Sequence, residues 1–286
     1  MGVETMSAKR VAVNGIDLAY EEVGRGSRLF VLVHGFTGSR DDFREQLPHL
    51  AELGWTIALD QRGHGDSTNT GHSESYTLEQ LVEDLRAFLE AHEIDQCDLL
   101  GHSMGGMVAL RFVLAYPGRV ASLVLMDTAA SALQDLPRAV LEAGGAVART
   151  SGMQPLCELM RLRAADDPQR AAADRRLEAE MGPERYWERR RAKLLAMDPE
   201  AFASLGLALV DQEPVTDRLS EIRCPTLVLV GEQDRPFLGP AEEFERRIPR
   251  ATRVIIPEAA HSPQLENAPA WLAAIREHLV RVRQSP

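Results

Sequence analysis

Several features are scarce or missing in this sequence of 286 residues. Its three cysteines, Cys97, Cys157 and Cys224, are far apart and odd in number, so no disulfide framework or zinc-binding spacing can be built from them. No apolar run approaches the roughly 18 residues of a membrane-spanning helix. Residues 1–10 contain no apolar signal-peptide core. We therefore expect a cytoplasmic protein with no membrane partner.

Positive charge is also in short supply. The chain has 32 Lys and Arg against 43 Asp and Glu, which gives a net charge of −11. Nucleic-acid binding needs clustered cations that neutralise phosphates, so we expect no nucleic-acid partner. A chain of this length can bury on the order of three quarters of its unfolded surface. This excludes a disordered or fibrous protein.

Short apolar runs predict strands that alternate with helices. Residues 10–23 alternate about Asn14-Gly15, a pair typical of a tight antiparallel hairpin. Helical spacing covers Thr77–His92 and resumes after Ser103. Continuous apolar runs, which suit strands buried on both faces, lie at Leu29–Val33, Thr56–Leu59, Cys97–Leu100, Val120–Met126, Pro225–Val230 and Thr252–Ile256. The pattern predicts an α/β fold: a mostly parallel sheet with helices on both faces and the two leading strands as an antiparallel edge.

The alternation breaks between about Ala130 and Asp217, where charged residues crowd together. Glycine and proline predict divisions into short amphipathic helices at Gly152, Pro155, Pro168, Pro183 and Pro199. Because this segment lies between two buried strands, we predict a helical cap over residues 131–216, inserted into a core of residues 1–130 and 217–286. Its many arginines lie either on solvated outer faces or in a basic pocket for anionic substrates.

Gly101-His102-Ser103-Met104-Gly105 is the most informative motif. It connects a predicted strand directly to a predicted helix, as the tight turn around a nucleophilic serine requires. The neighbours two residues away must be small, and both are glycine. A serine hydroxyl needs a base within hydrogen-bond reach to become a good nucleophile.

Eight histidines compete for the role of that base. His92 and His278 are predicted on helix surfaces, His49 at a helix end and His72 in a polar loop. His34, His64 and His102 lie in turns beside strand ends, where imidazoles often act as structural hydrogen-bonding groups. His261 follows the last strand, at the sheet edge where ligands meet parallel sheets. We therefore predict His261 as the base.

The base needs a carboxylate that fixes its tautomer and stabilises the imidazolium. Asp234 directly follows the penultimate strand, and the interval to His261 fits one helix and one strand, so both loops open on the same edge. Asp127, at the end of the strand before the cap, is the competing acid. We predict Asp234 as the acid.

Acyl transfer also needs donors for a tetrahedral oxyanion. The backbone N–H of Met104, directly after the predicted nucleophile, is one candidate. The loop after the first buried strand, His34-Gly35-Phe36, supplies the other, and we predict the Phe36 N–H with its ring lining the pocket.

In this order, the motifs His34-Gly-Phe, Asp60–Ser67, Gly101–Gly106, Gly231–Asp234 and Ala260-His261 resemble the small, capped, bacterial esterase/lactonase type of α/β-hydrolase. The resemblance runs from about residue 10 to 283 except for the cap. It implies an eight-stranded sheet, a cap after the sixth strand and no cofactor. It also implies that the Asp60–Ser67 turn is structural, with Arg62 as a buried hydrogen-bonding anchor. We predict that four residues are structural members of turns near the site: His34, Gly35, Arg62 and His102.

The sequence thus predicts a serine hydrolase that cleaves a small ester or lactone through an acyl-enzyme, without a metal or nucleotide. Similar sequences also include carbon–carbon bond hydrolases and cofactor-free perhydrolases that use the same triad. Epoxide hydrolases and haloalkane dehalogenases resemble the chain but carry aspartate where Ser103 stands. A receptor that retains the triad but only binds its ligand is an alternative of another class. The oligomeric state is left open.

Overall fold

The computed structural model describes residues 8–133 and 136–284. They contain one eight-stranded sheet with the order β1-β2-β4-β3-β5-β6-β7-β8. The strands are β1 Lys9–Val13, β2 Ile16–Val23, β3 Leu29–Val33, β4 Trp55–Leu59, β5 Cys97–His102, β6 Val120–Met126, β7 Thr226–Gly231 and β8 Ala251–Ile256. The β1–β2 and β2–β4 pairs are antiparallel and the other five pairs are parallel. The predicted mostly parallel sheet with a leading antiparallel edge is confirmed.

The central strands are apolar throughout because both of their faces are covered. In β3, Val31 packs into the cluster on one face and Leu32 into the cluster on the other. Eleven α-helices lie within the described residues. They are α1 Leu47–Leu50, α2 Leu78–Ala91, α3 Met104–Ala115, α4 Arg138–Ser151, α5 Met153–Ala165, α6 Ala172–Met181, α7 Pro183–Ala196, α8 Pro199–Asp211, α9 Arg235–Arg247, α10 Pro263–Glu266 and α11 Ala268–Gln284. Helices α2, α3 and α9 cover the first face, and α1 and α11 cover the second.

The strand order creates a crevice at the carboxyl edge of the sheet. From β3 the chain passes to β4 on one side, and then crosses to β5 on the other side of β3. The loops after β3 and β5 therefore diverge, and such a switch point is where open α/β sheets bind ligands. The loops after β6, β7 and β8 open on the same edge because these strands are parallel to β5.

Five helices, α4–α8, lie between β6 and β7, where the sequence predicts the inserted segment. Four of the five predicted divisions lie between or at the ends of helices. Pro155 is the exception, since it lies in the first turn of α5. The expected break there is wrong because proline is tolerated in a first turn, where backbone N–H groups have no partner within the helix.

His278 also differs from expectation. It is 1% exposed, on the inner face of α11 with Trp271, Ile275 and Val282. The spacing of these four residues follows one helical stripe, so the periodicity of the segment contained the signal. None of the described helices has both the length and the apolar character needed to cross a lipid bilayer.

Candidate active site

Ser103 lies on a sharp turn between β5 and α3. Its backbone angles, φ +53° and ψ −118°, are strained for a residue other than glycine. The turn is tight, since a Cβ atom on Gly101 would lie 2.3 Å from the carbonyl oxygen of Gly105. The end of β6 braces it: the Ser103 N–H donates to the Met126 carbonyl at 2.9 Å, and the Thr128 hydroxyl donates to the Ser103 carbonyl at 2.6 Å. This geometry holds the serine hydroxyl at the crevice.

The structure brings Ser103, His261 and Asp234 together. The Nε2 atom of His261 lies 3.0 Å from Ser103 Oγ, and its Nδ1 atom lies 2.7 Å from Asp234 Oδ2. A carboxylate only accepts hydrogen bonds, so Nδ1 carries the proton and Nε2 is left to accept one from the serine hydroxyl. Asp234 is 6% exposed, whereas 43% of the His261 side chain is exposed. The acid is buried and the imidazole reaches the crevice.

The charges of the pair favour an ionised acid beside a basic imidazole. Burial would raise the pKa of Asp234, but the neighbouring His261 outweighs it and lowers that pKa below 3.8. Partial burial disfavours the imidazolium, but the Asp234 carboxylate outweighs it and raises the pKa of His261 above 6.5. A proton that arrives on His261 during a reaction is therefore stabilised by the carboxylate behind it.

Three neighbours hold the loop that carries His261. The Nε2–H group of His102 donates to the His261 carbonyl at 2.7 Å. The ring of Phe237 stacks on the imidazole with 4.9 Å between ring centroids. The Glu266 carboxylate accepts the backbone N–H groups on either side of His261, at 2.6 and 3.1 Å. Burial, reinforced by His261, lowers the pKa of His102 to about 3, so His102 is neutral. His102 was predicted from the sequence as a structural residue near the site, whereas Phe237 and Glu266 were not predicted.

Two backbone N–H groups beside Ser103 are candidates for an oxyanion hole. The Gly38 N–H donates to the Gly35 carbonyl at 3.0 Å and closes a turn whose first central residue is Phe36. Such a turn does not use the N–H of that central residue. Met104 is the first residue of α3, so its N–H has no partner within the helix. A Cβ atom on Gly35 would lie 2.9 Å from the Cβ atom of Ser103, so this loop lies directly against the serine.

His34 ties the same loop to the end of β4. The Gln61 N–H donates to His34 Nε2 at 3.0 Å, so Nδ1 carries the proton and donates to the Gly35 carbonyl at 2.8 Å. The Gln61 side chain donates to the His34 carbonyl at 2.8 Å. Burial lowers the pKa of His34, which keeps the ring neutral. The two sequence motifs that meet here therefore form one hydrogen-bonded unit.

Arg62 lies in the turn after β4. Its side chain binds α2 and not Ser103, His261 or Asp234. Its guanidinium makes two hydrogen bonds to Asp84, at 2.7 and 2.8 Å, and the residue is 4% exposed. This bidentate geometry fixes the turn relative to α2. The contact agrees with a structural anchor rather than a group that touches substrate.

Asp127, which competed with Asp234 for the role of the acid, lies beside Asp234 in the structure. One side-chain ligand atom from each of Asp127, Asp234 and His261 lies within 4.8 Å of the others. Two carboxylates and an imidazole could hold a metal ion, but ligands that share one zinc ion lie about 3.3 Å apart. The 2.7 Å contact between His261 and Asp234 is shorter, so a proton fits between them better than a metal.

The inserted helices contact both loops of the site. The ring of Phe36 packs on Phe202 of α8 with 5.1 Å between centroids. Lys193 of α7 pairs with the buried Asp42, just after the Phe36 turn. Arg176 of α6 donates to two backbone carbonyl groups that flank the loop of the imidazole, at 2.7 and 3.0 Å. The segment between β6 and β7 therefore contacts the loops that carry Phe36 and His261.

Comparison with known proteins assigns the class. The sequence profile of the α/β-hydrolase fold matches residues 28–268, and the chain belongs to this family. The family and the fold predicted from the motifs are confirmed.

Individual relatives are more varied. A thermophilic esterase from Thermogutta terrifontis, solved with malate bound, is 31% identical, with a TM-score of 0.80 over 96% of this chain and 99% of the other. The dihydrolipoyllysine-residue acetyltransferase component of an acetoin-cleaving system from Pseudomonas putida is 32% identical over 265 residues, 91% of this chain and 66% of the relative. Mouse epoxide hydrolase 4 is 34% identical over 119 residues, 41% of this chain and 33% of that protein. The chain thus spans about two thirds of the length of the acetyltransferase component and about one third of the length of the epoxide hydrolase.

Proposed function

We propose that this chain is a serine hydrolase that cleaves a carboxylic ester or lactone of a small substrate through an acyl-enzyme. The observation that carries the proposal is the line from Ser103 Oγ through the His261 imidazole to Asp234, with contacts of 3.0 and 2.7 Å. A serine on a strained turn, an imidazole within hydrogen-bond distance of it and a buried carboxylate are the groups that acyl transfer requires. The similarity to an esterase at 31% identity supports the ester bond as the target.

The mechanism assigns a role to each group. Ser103 Oγ attacks the carbonyl carbon while His261 Nε2 takes its proton, and Asp234 stabilises the imidazolium. The N–H groups of Phe36 and Met104 stabilise the oxyanion. His261 then gives its proton to the leaving group, and a water molecule repeats the sequence on the acyl-enzyme.

The proposal also assigns a role to the inserted helices α4–α8. We propose that residues 131–216 act as a cap over a core of residues 1–130 and 217–286. The contacts of α6, α7 and α8 with both site loops support this division. A cap in this position would determine which acyl and alcohol groups reach Ser103. A cytoplasmic location remains a prediction from the sequence.

The test is active-site labelling together with turnover. We expect the intact chain to react with a fluorophosphonate and to hydrolyse p-nitrophenyl esters. Ser103→Ala should lose labelling and about 10³-fold or more in turnover, because the nucleophile is gone. Turnover that survives this change would reject the assignment.

A screen across acyl length, lactones and β-diketones separates ester hydrolysis from the carbon–carbon alternative. Hydrolysis of β-diketones alone would favour the alternative. An epoxide substrate is not expected, because the nucleophile position holds Ser103 rather than aspartate. Fluorophosphonate labelling without turnover on any substrate would favour a receptor.

A further inference from the structure

Asp127 occupies a constrained position directly after β6. Its backbone is in the left-handed region, with φ +46°, and the residue is 1% exposed. Its N–H donates to the Leu229 carbonyl at 3.0 Å, and its Oδ1 atom accepts the Gly231 N–H at 2.9 Å. Both partners lie on β7, the strand that leads to Asp234. The side chain is therefore fixed to the end of the neighbouring strand.

The other carboxyl oxygen of Asp127, Oδ2, accepts no hydrogen bond from a backbone or side-chain donor of the described residues. This atom is buried. One side-chain ligand atom from each of Asp127, Asp234 and His261 lies within 4.8 Å of the others, so the Asp127 carboxyl group is next to that of Asp234. Two adjacent buried carboxyl groups disfavour a second negative charge, so we infer that one of them holds a proton. Asp234 accepts the Nδ1–H of His261, which leaves the proton to Asp127.

We propose that Asp127 is a positioning residue whose protonated carboxyl donates a hydrogen bond to Asp234 and holds that carboxylate against His261. The proton sits on Asp127 Oδ2, the oxygen without another donor, and nothing is transferred during turnover. The kinetic part of the proposal rests on the proposed function. The structural part does not.

The electrostatics agree with this arrangement. Burial, together with the adjacent Asp234 charge, raises the pKa of Asp127 well above 3.8. The titratable groups around the pair are His261 after β8, His102 at the end of β5 and Glu266 on α10. Glu266 raises the pKa of Asp127 further, while His261 and His102 act on Asp234 and lower its pKa. All of them favour a neutral Asp127 beside an ionised Asp234.

The experiment compares Asp127→Asn with Asp127→Ala. Asparagine keeps one oxygen for the Gly231 N–H and supplies an N–H donor toward Asp234, while alanine removes both. The matched control is Asp211→Asn, an exposed carboxyl group at the end of α8. The readouts are the titration of the His261 imidazole by NMR, which needs no turnover, and the pH profile of kcat/KM.

We expect Asp127→Asn to shift the His261 pKa by no more than about 0.3 units, since one neutral donor replaces another. We expect Asp127→Ala to raise that pKa by about 0.5 units or more, because Asp234 loses a donor and its charge acts more strongly on the imidazolium. In this variant kcat should fall about tenfold with KM nearly constant, since the loss lies in orientation rather than substrate binding. The control should match the unmodified chain.

Two results would overturn the proposal. A fall of about one unit in the His261 pKa on Asp127→Asn would mean that a negative charge had been removed, so Asp127 would be ionised. Identical His261 titrations in the asparagine and alanine variants would mean that the side chain only fills space. If the alanine variant does not fold, the asparagine titration still decides the charge of Asp127. Inactivity of every variant and of the unmodified chain, with the expected titrations, would reject the proposed function alone.

Discussion

A close backbone approach near the site lies at Gly105, in the first turn of α3. A Cβ atom there would lie 2.4 Å from the carbonyl oxygen of Val33 and 2.5 Å from that of His34. Both distances are about 1 Å shorter than ordinary contacts, which begin at 3.4 Å. The obstacles are backbone atoms of β3 and its loop, and they cannot rotate away as a side chain would.

We expect Gly105→Ala to destabilise the protein by about 3 kcal/mol or more, at or above the upper end of ordinary overpacking. For 286 residues the unfolding entropy is about 0.6 kcal/mol/K, so Tm should fall by about 5 °C. The start of α3 must also move by about 1 Å, and Ser103 moves with it. A displacement of that size costs about 100-fold in rate.

The matched control is Gly118→Ala. Gly118 is exposed, has no positive φ, and a Cβ atom there meets nothing within 4 Å. The same chemical change should stabilise the protein by about 0.4–1 kcal/mol, because alanine restricts the unfolded chain. Thermal and urea unfolding of the two variants, with ester turnover, measure both effects. Equal Tm values for the two variants would refute the argument from close approach.

Other predictions concern separate parts of the chain. Ester turnover should fall as the pH drops through the raised pKa of His261, because the protonated imidazole cannot accept the serine proton; an acid limb with its midpoint below 6.5 contradicts this. Arg62→Met should cost about 3–5 kcal/mol in urea unfolding, since it leaves the buried Asp84 charge without its bidentate partner, and a loss below 1 kcal/mol would refute that role. Thr77→Ala should cost about 1 kcal/mol, measured in the same way, because its hydroxyl caps α2 by accepting the Gln80 N–H at 3.1 Å.

The strands and the Ser103 turn were predictable because their signals are local. A continuous apolar run such as Leu29–Val33 indicates a strand covered on both faces. Glycine two residues before and two residues after Ser103 indicates a turn too tight for a Cβ atom at either position. The errors at Pro155 and His278 were local as well, since a first-turn position and a helical stripe were both readable in the sequence.

The choice between Asp127 and Asp234 shows where sequence reasoning stops. Both residues follow parallel strands, so from the sequence alone they compete for one role. The order of the sheet places β6 next to β7, so both carboxyl groups reach the same site. The contact of 2.7 Å assigns the imidazole to Asp234 and leaves Asp127 behind it.

The sequence by itself determined the elements and the types of reactive groups, because periodicity, turn chemistry and residue identity act over a few neighbouring positions. Only the tertiary structure decided which of those groups touch. Ser103 and His261 are 158 positions apart in the chain, and strand order and helix packing bring them together. Distances between side chains that far apart in the chain depend on how the whole sheet twists and packs, which no short segment encodes.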